Sequence, residues 1–127
     1  MESQAKVILD TNMLLAVEQL KIDLMQEIEN NLPKAKVLLP EQVMQELERL
    51  KRKSQKLEKA VKIAEKIIRF GKIKKIKVQA KNADKALLKL AKKGFIIATN
   101  DKLLRKKVKS IGGKCLIIRK RKYLTLE

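Results

Sequence analysis

The chain reads as an α/β protein of three layers, α/β/α, built around a central and mostly parallel sheet. Three observations carry that reading. Short apolar runs of strand length alternate with segments of helical period, which is the sequence form of βαβ crossovers. Several of those runs, such as Val7-Ile-Leu9, Val37-Leu-Leu39 and Phe95-Ile-Ile-Ala98, are apolar at every position, as strands covered on both faces require. The third is size: 127 residues, 45% apolar, suit a single domain, 1–127. Its core must be Ile, Leu, Val, Ala and Met, because Trp is absent and aromatics are 2%.

Lys6–Asp10 reads as a buried strand closed by an acid. Met13–Leu20 and Ile22–Asn30 have helical spacing, the second through Ile22, Met25 and Ile28. Val37–Leu39 is a second strand stopped by Pro40, and Pro40-Glu41 opens a helix with Val43, Leu47 and Leu50 as its core stripe. A long helix follows over Gln55–Phe70, with Leu57, Ala60, Val61, Ala64, Ile67 and Ile68 on one face. Ile73–Val78 holds a short strand interrupted by Lys. Asn82–Lys93 is helical and stops at Gly94, Phe95–Ala98 is a strand, and Asn100–Ile111 is a helix. Gly112-Gly113 turns the chain into a last strand, Cys115–Ile118, followed by a short basic tail over about 119–127.

Composition excludes much chemistry. There is no His, so neither a Ser-His-Asp nor a Cys-His site can form. Cys115 is the single cysteine, which leaves no disulfide within the chain and no structural zinc cluster. Met1–Lys6 is too short to hold a secretory leader, and no apolar stretch reaches the roughly 18 residues of a membrane span. A soluble, cytoplasmic protein with no membrane partner is expected.

The net charge of +18 predicts an anionic partner, nucleic acid before any other. Hot-environment charge networks also enrich Lys, but they raise Glu in step, and here 32 basic residues face 14 acidic ones. The charge is also segregated. Residues 1–50 carry a net −4, whereas Lys51–Lys77 and Lys102–Lys122 each carry +10. Lys59, Lys62, Lys66 and Arg69 on the long helix are the first candidates for holding phosphates, and Arg119, Lys120, Arg121 and Lys122 the second.

Ligands of an open α/β sheet bind outside the carboxyl ends of its strands. Asp10 closes the first strand, and Asp101 follows Phe95–Ala98 through Thr99 and Asn100. Glu46 lies early in the helix after the second strand and Asp84 in the first turn of the helix before Phe95. Singly, Asp84 and Asp101 also read as helix caps and Glu46 as a solvated helix residue. Asp10, ending a buried strand, suits neither explanation. Four carboxylates on one edge repel unless a cation sits among them, and hard oxygen ligands select Mg²⁺ or Mn²⁺. An acidic metal pocket in a basic shell suits a phosphodiester substrate.

Four motifs then resemble the PIN-domain nucleases along nearly the whole chain. Val7-Ile-Leu-Asp10-Thr11-Asn12 is similar to the family's opening strand and first acid, and Val43-Met-Gln-Glu46-Leu to its helix-borne second acid. Ala83-Asp84-Lys85-Ala-Leu resembles the third motif and Ala98-Thr99-Asn100-Asp101 the fourth. Length and the Lys-rich tail with Tyr123 look closest to archaeal members, both the VapC-like toxins of toxin-antitoxin pairs and those of small-subunit rRNA processing. The resemblance implies a Mg²⁺- or Mn²⁺-dependent RNA endonuclease on a five-stranded parallel sheet. Asp10, Glu46, Asp84 and Asp101 would be the catalytic metal ligands or water-positioning groups, with Asn12 and Thr99 supporting them by hydrogen bonds. The chain departs from the family at Lys85, where a second acid is common.

Other functions stay open at this stage. A catalytically idle RNA-binding module of the same fold, acting in rRNA processing or ribosome assembly, is favoured by Lys85 and opposed by the four acids. A haloacid-dehalogenase-type site would want Asp where Asn12 stands. Membrane binding through Gln55–Phe70 would want more aromatics than Phe70. With Phe70, Phe95 and Tyr123 as the whole supply of stacking rings, RNA recognition rests on charge and shape. Specificity then falls to folded RNA or to a protein partner, an antitoxin or a ribosome-assembly protein, and a homodimer is a further expectation.

Overall fold

The computed structural model describes residues 4–127, so Met1–Ser3 of the expected domain lie outside the described residues. Twelve elements follow in order: β1 (Lys6–Leu9), α1 (Thr11–Leu20), α2 (Leu24–Asn31), β2 (Lys36–Pro40), α3 (Glu41–Lys51), α4 (Gln55–Phe70), β3 (Lys74–Ile76), α5 (Ala83–Lys92), β4 (Ile96–Ala98), α6 (Lys102–Ser110), β5 (Cys115–Arg119) and β6 (Tyr123–Leu126). The sheet runs β3-β2-β1-β4-β5-β6. Its first four pairings are parallel and the last, β5 with β6, is antiparallel.

Alternation along the strands builds the three layers. Val7, Leu9, Val37, Leu39, Ala98 and Leu116 face one way, onto Met13, Leu14 and Val17 of α1, Val43 and Leu47 of α3, and Val61, Ala64 and Ile68 of α4. Ile8, Leu38, Ile97, Cys115 and Ile117 face the other way, onto Leu87, Leu90 and Ala91 of α5 and Leu104 and Val108 of α6. Both faces are covered, which is why Val7–Leu9, Val37–Leu39 and Ile96–Ala98 are apolar at every position.

Local signals set the boundaries. Ser54 caps α4 by accepting from Leu57 N–H at 3.1 Å, and Asn82 caps α5 by accepting from Lys85 N–H at 2.9 Å. Gly94 follows α5 at φ +93°, a conformation that costs a side chain strain. Pro40 ends β2 and is itself the N-cap of α3, so that strand and helix meet without a loop.

The sheet has six strands rather than the five expected, and the segment read as a basic tail supplies the sixth. Its turn was hidden because Lys120 and Arg121 take the left-handed conformation, at φ 51° and 57°, where Asn-Gly is the usual signal. Leu124 is buried in the core, and α2 grips its backbone: Leu124 N–H donates to Glu27 at 2.9 Å and its carbonyl accepts from Asn31 at 3.0 Å. We expect Leu124→Ala to cost about 2–4 kcal/mol in urea unfolding. A loss below about 0.5 kcal/mol, the range of ordinary surface substitutions, would show the segment to be a dispensable tail. The short strand expected within Ile73–Val78 is Lys74–Ile76, and residues 77–82 leave the sheet as irregular chain.

Candidate active site

Parallel pairing of β1 with β4 puts Leu9 beside Ala98, so the next residues, Asp10 and Thr99, are neighbours where both strands end. Asp10 is 5% exposed, and Thr99 donates its hydroxyl to the Asp10 carboxylate at 2.7 Å. The same Thr99 hydroxyl accepts from Asp101 N–H at 3.0 Å. One buried hydroxyl therefore ties the two acids predicted at strand ends to each other.

Asp10 occupies the N-cap position of α1 but makes no side-chain cap bond there, leaving its carboxylate for other work. Burial pushes its pKa up from 3.8 to about 6. The Thr99 hydrogen bond and the Thr11 backbone hold it down, while the charges of Glu46 and Asp84 push it further up. Thr11 itself is buried, and its hydroxyl has no partner among the described residues.

The remaining predicted site residues differ in setting. Asp101 caps α6, accepting from Leu103 N–H at 2.9 Å and Leu104 N–H at 3.3 Å through one oxygen. Glu46 is half-buried on α3 and pairs with Arg49 at 3.5 Å. Asp84 is exposed in the first turn of α5, where Asn82 does the capping. Lys85 is exposed beside it, and Asn12 sits exposed in the first turn of α1.

The donor set is entirely oxygen, and Asp10 feels two further carboxylates, which in kind and charge suits a hard divalent cation. The side chains do not close on a common point: among the described residues no three acids or cysteines stand close enough to hold one ion.

One basic element shares this edge. Arg119 ends β5, parallel to β4, so the hairpin turn with exposed Lys120, Arg121 and Lys122 lies at the same carboxyl edge as Asp10. Arg119 is partly neutralised by Glu127 at 3.2 Å. Lys59, Lys62, Lys66 and Arg69 are all exposed on α4.

The model of a PIN like domain matches residues 7–121. The chain belongs to the PIN-domain family. This PIN domain is 35% identical to Ribonuclease VapC4 of Methanocaldococcus jannaschii over 127 aligned positions, 95% of each chain. Its fold matches that of the PIN domain endonuclease Utp24 with a TM-score of 0.79 at 26% identity, over 96% of this chain and 90% of that one.

One polar residue of this PIN domain escaped the sequence reading. Gln42 in the first turn of α3 is buried, and its amide nitrogen donates to the carbonyls of Val78 and Ala80, while its Oε1 has no partner among the described residues. The signal was its position four residues before Glu46, on the same helix face.

Proposed function

We propose that this PIN domain, residues 1–127, is a cytoplasmic endoribonuclease that depends on Mg²⁺ or Mn²⁺ and uses Asp10, Glu46, Asp84 and Asp101 as its carboxylate set. The observation that carries the reading is Asp10: a carboxylate buried at a strand end, held by Thr99 and repelled by Glu46 and Asp84. Such a group is costly without a counter-charge and is relieved by a cation. A bound divalent ion would supply positive charge against a phosphate oxygen and make water more acidic. Thr99 fixes the direction of Asp10 and links it to the backbone of Asp101. The names of the ribonuclease and endonuclease relatives support an RNA substrate and an internal cut.

The ribonuclease relative supports an antitoxin as partner, and the endonuclease relative leaves a ribosome-assembly role open. Among the described residues no helix is long and apolar enough to cross a membrane. A second reading, the idle RNA-binding module, is favoured by the spread of the carboxylates and by Lys85. An RNA blocked at both ends and carrying a fluorophore and quencher decides between them. We expect cleavage in Mn²⁺ or Mg²⁺ and none in EDTA, whereas intact RNA in all three would establish the idle module.

Substrate holding is separable from chemistry. Cations that neutralise phosphates release counterions, each adding about −0.7 to the log–log slope of affinity against salt for single strands. Changing Lys62, Lys66 and Arg69 together to Gln should flatten that slope by about 2 and weaken binding regardless of sequence. An unaltered slope in fluorescence anisotropy would move the binding face to the β5–β6 turn.

A further inference from the structure

We propose that Gln42 is a positioning residue that sets the Glu46-bearing helix against the Asp84-bearing helix, a proposal that rests on the metal-dependent reading above. The two carboxylates come from elements with no strand pairing between them. Glu46 is on α3, and Asp84 is the second residue of α5, reached from β3 only through the irregular residues 77–82. A segment without a sheet or helix ladder must find partners for its carbonyls elsewhere, and where it finds them decides where the next helix begins.

Here three consecutive carbonyls are taken by side chains. Gln42 donates to Val78 and to Ala80, the latter at 3.1 Å, and Lys89 of α5 donates to the intervening Gln79 carbonyl at 2.8 Å. The Gln42 amide thus reaches from the helix of Glu46 to the chain four residues before Asp84. Glu46 lies one turn beyond it on the same face of α3. Between them opens a cleft of about 240 Å³, lined on one side by Gln42, Glu46 and Arg49 and on the other by Lys81, Asn82 and Ala83.

Gln42 is only 8% exposed, and its Oε1 has no partner among the described residues, a loss of roughly 1–3 kcal/mol. An apolar side chain of the same shape would avoid that loss but would strip the Val78 and Ala80 carbonyls of their donor. What an apolar side chain would not do is fix the lead-in to α5. Groups that orient a ligand without touching the ion change affinity or activity by about 10–100-fold when removed. Gln42 has the geometry for that role, because its amide joins the helix of Glu46 to the lead-in of the helix of Asp84.

Gln42→Met keeps the shape and removes the donor. In this variant we expect the Mn²⁺ concentration at half-maximal melting-temperature shift to rise about tenfold or more, and kcat for the blocked RNA to fall similarly, with KM within about twofold. A purely structural role predicts a lower melting temperature in EDTA with unchanged Mn²⁺ midpoint and kcat, and that result overturns the proposal. Should Gln42→Met not fold, exposed Lys89→Met releases the Gln79 carbonyl of the same segment and is read by the same criteria, with a smaller shift in the same direction. A wild-type protein that neither cleaves nor responds to Mn²⁺ removes the metal-dependent reading and this proposal together. A responsive wild type with an unchanged variant removes this proposal only.

Discussion

Asp10→Asn should make the metal-free protein more stable at pH 7, by about 2–3 kcal/mol. The figure follows from a carboxyl pKa raised from 3.8 to about 6, at about 1.4 kcal/mol per unit, on a nearly fully buried group. The sign is fixed by proton counting. Between pH 3.8 and about 6 the native state still holds the Asp10 proton that the unfolded chain has released. Native stability therefore falls as pH rises through that window and levels off above it. Asn carries no charge to desolvate and still offers an oxygen to the Thr99 hydroxyl, so the variant lacks this slope. Urea unfolding in EDTA at pH 4 and pH 7 reads both effects. A variant less stable than wild type at pH 7 would mean that the Asp10 charge is compensated inside the protein.

Thr99→Val is the converse experiment and should destabilise by about 2 kcal/mol at pH 7, the usual range for a hydrogen bond to a charged group. The hydroxyl donates to Asp10 at 2.7 Å and accepts from Asp101 N–H at 3.0 Å, and Val fills the same space with neither capacity. Because that bond lowers the Asp10 pKa, its removal sends the carboxyl above about 6. Thr99→Ser keeps the hydroxyl and should retain most of the stability. Equal unfolding free energies for the Val variant and wild type at pH 7 would remove Thr99 from the account of the site.

The strand-end acids were legible because their cause is local. An apolar run such as Val7-Ile-Leu9 can hardly be anything but a buried strand, and an acid placed at its end stands at the edge where parallel sheets bind ligands. The same logic reached Asp101, whose dual setting as helix cap and site neighbour needs the structure to be seen. The sixth strand was hidden because its turn is built from Lys120 and Arg121, residues that carry no turn signal, while the grip on Leu124 comes from α2, about ninety residues earlier. Gln42 was hidden for a related reason. Its partners are carbonyls, which every residue has, and only the path of residues 77–82 brings them to it.

If the Asp10 carboxylate serves metal-dependent cleavage of RNA, single-turnover cleavage by wild type and Asp10→Asn under matched RNA binding will show it. With Mn²⁺ and saturating RNA, we expect cleavage by wild type and a loss of at least about a hundredfold in the variant, more than the roughly 10–100-fold that loss of a group orienting a ligand costs. Salt-dependent RNA affinity should be the same for both, since the cations proposed to hold phosphates are other residues. Cleavage by Asp10→Asn at the wild-type rate would show that the Asp10 carboxylate takes no part in the reaction.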